Sequence, residues 1–229
     1  MAEVSWQRFE EGTEADLEAF IHQLEPDRPA LIHLKGMQWS PRTGEILASM
    51  KPGAPLQHLS IRGAPLRFTG LKALARCPAL SSLETLALER CGMCDALAED
   101  FLWAHPFPKL RGLYLCNRDG IETGPLNDLC DLTATVLSLS HRLANLRELD
   151  LWNTEVGDWG WESIINSPRL AKLESVYTWN TKLTKEGAQK IKAVLFARRQ
   201  APVPPDPPLP TCWLHTDYDE RNYSWTDEP

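Results

Sequence analysis

The sequence predicts an α/β fold, a right-handed solenoid of strand–helix units with a curved parallel β-sheet on its concave face and helices on its convex face. Three observations carry the prediction. First, one pattern recurs as "LQHLSIRG" at Leu56, "LETLALERC" at Leu83, "LRGLYLCN" at Leu110, "LRELDLWNT" at Leu146 and "LESVYTWNT" at Leu173. The starts at 56, 83 and 110 are evenly spaced, the step to 146 is longer, and the step to 173 returns to the first interval. The same interval counted back from Leu56 reaches "PALIHLKG" at Pro29, a weaker copy. Such a period marks a repeat array, because each unit can bury its apolar side only against its neighbours. Second, positions 1, 4 and 6 of each unit are apolar (Leu56, Leu59, Ile61; Leu83, Leu86, Leu88; Leu110, Leu113, Leu115; Leu146, Leu149, Leu151), weakening at Leu173, Val176, Thr178. Alternation of this kind is a short strand that sends positions 4 and 6 inward and 3, 5 and 7 outward. Third, position 11 (Leu66, Met93, Val156, Leu183) and positions 16 or 19 (Leu71, Leu74, Phe101, Trp161, Ile164, Ala188, Ile191) are apolar, as the inner face of a returning helix requires.

Residues 1–28 read as a helical cap. Thr13 is placed to cap a helix with Leu17, Phe20, Ile21 and Leu24 along one side, and Pro26 ends it. Residues 29–200 hold about six repeats, starting at 29, 56, 83, 110, 146 and 173. Glycines at position 15 (Gly70, Gly160, Gly187) let a helix start approach the neighbouring coil, or are simply tolerated there. Position 9 holds Ala64, Cys91, Arg118, Thr154 and Thr181, where a small polar group satisfies backbone as the chain leaves its strand. Arg118 does not fit that role. The long unit that starts at Leu110 has apolar residues at helical spacing from Leu126 to Leu143, with Pro125 suited to a first turn, so its extra length reads as a lengthened convex helix. Thr184 starts the last helix, and Arg198 and Arg199 suit its negative end. Residues 201–210, "APVPPDPPLP", form a proline-rich linker, extended to about 31 Å if fully stretched. Residues 211–229 form an acidic aromatic tail with Trp213, Tyr218, Tyr223 and Trp225. It docks on the solenoid or on a partner, or else closes the last repeat.

This pattern resembles the leucine-rich repeat family, in its ribonuclease-inhibitor-like helical subclass. "LWNTEVGDWGWESI" and "TWNTKLTKEGAQKI" are similar to the bacterial variant that reads L-x-x-L-x-L-x-x-T-x-V-T-D-x-G-L. The likeness spans roughly residues 29–200. It implies the fold and leaves the partner open, since the family is united by architecture.

Composition narrows the function. The net charge is −7, of which residues 201–229 hold −5 through six acids and one arginine, leaving −2 for the body. A near-neutral body argues against nucleic acid. No apolar run approaches a membrane span, the acidic start is unlike a signal peptide, and six cysteines in such a chain read as reduced, so a cytoplasmic protein is expected. Cys91 and Cys94 form a C-x-x-C without a second pair, and His105 and His141 stand alone; no cofactor, metal or catalytic residue is expected.

The outward columns are the candidate surface. Position 5 runs His33, Ser60, Ala87, Tyr114, Asp150, Tyr177; position 7 runs Lys35, Arg62, Glu89, Cys116, Trp152, Trp179; position 8 brings Asn117, Asn153 and Asn180. One half is basic and the other aromatic and amide-rich. A protein partner is expected on this face, touching Lys35, Arg62, Tyr114, Asp150, Trp152, Asn153, Tyr177, Trp179 and Asn180, since exposed aromatics typify binding hot spots. Stacked aromatics bracing adjacent repeats are the alternative. The chain is expected to be a monomer. A regulator, an immunity partner of a cognate toxin and a translocated effector all remain compatible with such a scaffold.

Overall fold

The computed structural model describes residues 5–104, 107–118 and 124–200. Strand and helix alternate throughout: β1 (Gln7–Phe9), α1 (Glu14–His22), β2 (Ala30–Lys35), α2 (Pro41–Ala48), β3 (Leu56–Arg62), α3 (Arg67–Leu74), β4 (Thr85–Glu89), α4 (Asp95–Ala104), β5 (Gly112–Tyr114), α5 (Asp131–Leu139), β6 (Glu148–Asp150), α6 (Asp158–Ile165), β7 (Ser175–Tyr177) and α7 (Lys185–Gln200). The seven strands form one open, all-parallel sheet in sequential order. When every crossover steps to the next strand with the usual right hand, all helices fall on one side. Each helix accordingly packs on the next, from α1 to α7. Among the described residues no helix is long and apolar enough to cross a membrane.

The core lies between the layers. Leu56, Leu83, Leu110, Leu146 and Leu173, at position 1, are all fully buried, and so are Leu59, Ile61, Leu86, Leu88, Leu149 and Leu151 at positions 4 and 6. The helices contribute Leu71, Leu74, Leu97, Phe101, Leu137, Trp161 and Ile164. Each such side chain stabilises the fold by roughly 1.5–3 kcal/mol through removal from water. The last unit is looser: Val176, Leu183 and Val194 are only partly buried.

The N-terminal segment holds more than a helix. Thr13 does cap α1, in a reciprocal box with Asp16, and Leu17 and Ile21 face the core. Ahead of it, β1 adds a strand to the sheet. The Gln7 amide fixes it by donating to the Glu25 and Arg28 carbonyls (3.0 and 2.6 Å) and accepting from the Glu25 N–H (2.8 Å).

The third full unit corrects the expectation of a lengthened helix. Helices α4, α5 and α6 start at 95, 131 and 158 and the units that follow them at 110, 146 and 173, so helix start and next unit keep one interval in all three. From unit start to helix start the interval is also constant for the units at 83, 146 and 173, whose helices begin at 95, 158 and 185. It is longer only for the unit at 110, whose helix begins at 131. The whole excess therefore sits between β5 and α5, around 118–126. Asn127, rather than Arg118, fills the backbone-satisfying role at position 9. Its Oδ1 accepts from the Cys91 and Met93 N–H groups (both 3.0 Å), and its Nδ2 donates to the Leu88 and Leu115 carbonyls (2.6 and 3.0 Å). Of the residues at helical spacing only Val136 and Leu137 lie in α5; Pro125, Leu126, Leu129 and Cys130 precede it, and α5 is no longer than α4 before it.

Helix starts are joined by carboxylates. Glu14 accepts from the Ser40 N–H and hydroxyl and from Thr43 (3.0, 2.7 and 2.8 Å). Asp95 accepts from the Cys130 and Thr133 N–H groups (3.0 and 3.2 Å), Asp131 from Gly157 N–H (2.7 Å), and Asp158 from the Thr184 N–H and hydroxyl (both 2.7 Å). Two of the position-15 glycines follow from this joint, because a Cβ on Gly160 or Gly187 would strike the Asp131 or Asp158 carboxylate. At α2 and α3 two backbones touch instead: a Cβ on Gly70 would lie 2.7 Å from the Pro41 carbonyl oxygen.

Candidate functional site

The candidate site is the sheet face turned away from the helices. Strand register assembles its rows directly: Leu31, His58, Thr85, Gly112, Glu148 and Ser175 stand side by side, then His33, Ser60, Ala87, Tyr114, Asp150 and Tyr177, then Lys35, Arg62 and Glu89. Beyond the strand ends, Cys116, Trp152 and Trp179 continue the third row in sequence.

The inner part of this face is an ionic row, and it corrects the expectation of uniformly exposed outward positions. Glu89 and Asp150 are fully buried, and Arg62, Arg118 and Tyr114 nearly so. Burial is tolerable because opposite charges alternate. Arg62 Nε lies 3.0 Å from Glu89 Oε1, a charge contact without hydrogen-bond alignment. Arg118 donates from Nε and Nη2 to Asp150 Oδ2 at 3.1 and 2.5 Å, and the other Asp150 oxygen accepts from the Trp152 N–H at 2.8 Å. The Arg118 misfit at position 9 thus has its explanation: the chain turns the guanidinium back over the sheet. The Tyr114 hydroxyl donates to Glu148 at 2.5 Å.

Around this row burial and neighbouring charge shift the titrating groups. Burial raises the Glu89 carboxyl, opposed by Arg62 and Arg118 and assisted by Asp150. Burial, then the charges of Asp150 and Glu89, push the Cys116 thiol well up, so it stays protonated. Tyr114 is raised by burial and then by Glu148. Burial works against the charge on Arg118, but Asp150, Cys116 and Glu89 outweigh it and the net shift is upward. At the β1–β3 side, burial brings His58 down to about 4; its ring lies 5.0 Å from that of Trp6.

The aromatic end gathers over Arg118. Its guanidinium sits 5.8 Å from the Trp152 ring and 5.9 Å from that of Tyr177, and Trp152 and Trp179 are 6.4 Å apart at 60°. Trp179 is 45% exposed and Trp152 and Tyr177 are half-buried. The structure therefore brings Asp150, Trp152, Tyr177 and Trp179 together, while Lys35 is exposed on β2, several strands away.

Asn153 and Asn180 also have a structural role at the turn that follows each strand. Both adopt left-handed backbone (φ 55° and 52°), as do Arg90, Gly36 and Gly63 at the same position of earlier units. This position is where each strand turns off the sheet, which suits Gly and Asn. The Asn153 amide donates to the Asn117 carbonyl (3.1 Å) and the Asn180 amide to Asn153 Oδ1 (2.6 Å), so the amides link successive turns. Sequence reasoning missed Glu89 and Arg118 as counter-charges to Arg62 and Asp150; the charged residue at a position reserved for small polar groups was the available signal.

Cys91 is buried, and its thiol donates to the Ile61 and Glu89 carbonyls, both at 3.3 Å. Among the described residues no group of three or more His, Cys, Asp or Glu is placed to hold a metal ion. His105, the linker 201–210, and Trp213, Tyr218, Tyr223 and Trp225 of the tail lie outside the described residues. A scan of the chain against protein-family models returns no match, and a search of curated proteins returns none.

Proposed function

We propose that this chain is a right-handed solenoid of the leucine-rich-repeat type that binds a protein partner through its sheet face, without catalysis. Sequential strand order, one helix layer and the regular period of the repeats support the solenoid reading. The observation that carries the binding reading is the cluster of Trp152, Tyr177 and Trp179 over the Arg118 guanidinium. Rigid rings ordered by a buried ion pair lose little entropy on contact, which is what an anchor residue needs. Lys35 then supplies charge at the far end of the face, and Arg62, Tyr114 and Asp150 act from beneath, holding the surface rather than touching the partner. Asn153 and Asn180 shape its rim.

The test is affinity capture with the full chain and with Trp179→Ala and Trp152→Ala variants. Specific partners are expected to be lost from the variants; equal recovery of every partner would remove the aromatic end as the anchor.

A further inference from the structure

We infer that the sheet face is a receptor for an extended, acidic and aromatic peptide, and that its resident occupant is this chain's own residues 211–229. The inference rests on the proposed use of this face for protein binding and names the chemistry it accepts.

Charge complementarity is the first argument. Residues 201–229 hold −5 of the chain's −7. On the face, Arg62 and Arg118 are neutralised by Glu89 and Asp150. Its exposed cations are Arg8 and Lys35, at the β1–β2 end. The other end, at β6–β7, is aromatic. A ligand matched to this face has rings at one end and carboxylates at the other.

The order of residues in 211–229 fits that polarity. The chain leaves α7 at Gln200, in the same unit as β7, so it arrives at the aromatic end first. A proline-rich stretch of residues 201–210 spans about 31 Å when extended, enough to pass a helix and a sheet on the order of 20 Å thick together. Trp213 comes next, and Asp217, Asp219 and Glu220 follow. From β7 to β2 is five strand spacings, about 24 Å. The extended segment from Trp213 to Glu220 covers about 23 Å. A segment laid across the strands with its first tryptophan beside Trp152 and Trp179 therefore delivers these acids to Lys35.

Two measurements on the full chain test this. Carbodiimide coupling, read by peptide mass analysis of the monomer, is expected to join Lys35 to Asp217, Asp219 or Glu220 of the same chain. A labelled synthetic peptide of residues 211–229 is then titrated onto the chain and onto a variant carrying Trp213→Ser, Tyr218→Ser, Tyr223→Ser, Trp225→Ser, Asp217→Asn, Asp219→Asn and Glu220→Gln. A tethered competitor acts at about millimolar effective concentration, so the peptide is expected to bind the variant at least about tenfold more tightly than the unaltered chain. Adding Lys35→Glu to the variant is expected to weaken the peptide at least about threefold at low salt. Equal affinity for both chains, coupling found only between two chains, or no binding to either chain would each overturn the inference. Capture of partners by the tail variant separates the two readings. Capture that depends on Trp179 while the peptide fails to bind defeats this inference alone; peptide binding that depends on Lys35, with capture indifferent to Trp179, defeats the proposed function alone.

Discussion

The Arg118–Asp150 pair shows how a single contact fixes both stability and surface. Removing one partner strands a buried charge, so Arg118→Met is expected to destabilise the protein by about 3–5 kcal/mol. The double variant Arg118→Met, Asp150→Asn keeps an acceptor for the Trp152 N–H and is expected to lose less than the single one; urea unfolding of the three proteins measures this, and equal losses would show that the charges are not coupled. His58 supplies a pH signature. Its folded pKa is about 4 against an ordinary 6.5, because burial disfavours the imidazolium. The unfolded chain therefore binds the extra proton between these values, so stability is intact above pH 6.5 and drains away as pH falls toward 4. Glu89, raised by burial, has the opposite sign, losing stability as pH climbs through its raised value. Comparing His58→Phe with the parent isolates the histidine: the variant is expected to lose that part of the acid-side slope, and parallel curves would refute it. Alternation along the strands tells which side chains share the face with His58 and Asp150. It cannot tell that Arg62, Glu89, Arg118 and Asp150 neutralise one another, since those pairs join different units through side-chain reach that periodicity does not encode.

At the level of elements, the joints between helix starts are the features most open to perturbation. Asp95→Ala removes acceptors from two N–H groups, a hydroxyl and a thiol at the start of α5. Loss of a helix cap costs about 0.5–2 kcal/mol, and a lower urea midpoint with unchanged slope is the expected result. Gly70→Ala forces a Cβ onto the Pro41 backbone, which cannot swing aside like a side chain. A loss of roughly 1 kcal/mol or more from such overpacking lowers the thermal midpoint by about 2 °C or more in a chain of this length, an unchanged midpoint counting against the close approach of α2 and α3. Tight packing at Gly70, Gly160 and Gly187 is legible in the sequence. The acid on the preceding helix is not, because the partner of each glycine lies one period away. β1 escapes notice for a related reason: "QRF" is a very short strand, and its anchor, Gln7, works through backbone carbonyls that leave no pattern.

For the whole molecule, packing thins toward the C-terminal end of the described structure. Strands β3 and β4 are buried along most of their length, while every residue of β7 is only half-buried. Local opening follows burial, so amides of β7 and α7 are expected to exchange faster than those of β3 and β4; uniform protection would instead indicate one all-or-none unit. Arg198 works against this loosening by donating to the Ile165 and Leu170 carbonyls of the preceding unit and to the Leu173 carbonyl at the start of its own, a clamp in place of the simple dipole pairing its position suggested. The stack as a whole is legible because leucine at position 1 recurs wherever a strand must enter the core. The insertion after β5 is misplaced by sequence reasoning because a genuine helix, α5, stands just beyond it and absorbs the signal. The location of that insertion has an evolutionary meaning. Each carboxylate joint works like a coupling between carriages, an acid on one unit and N–H or hydroxyl groups on the next. Length added between β5 and α5 lies upstream of the coupling and leaves both halves intact, whereas the same length placed inside α5 would carry Asp131 or its receptor out of line. A repeat from this part of the chain, duplicated in frame, would arrive with both halves of the joint already fitted, so whole units and loop length are expected to be added here with less disruption than helix length.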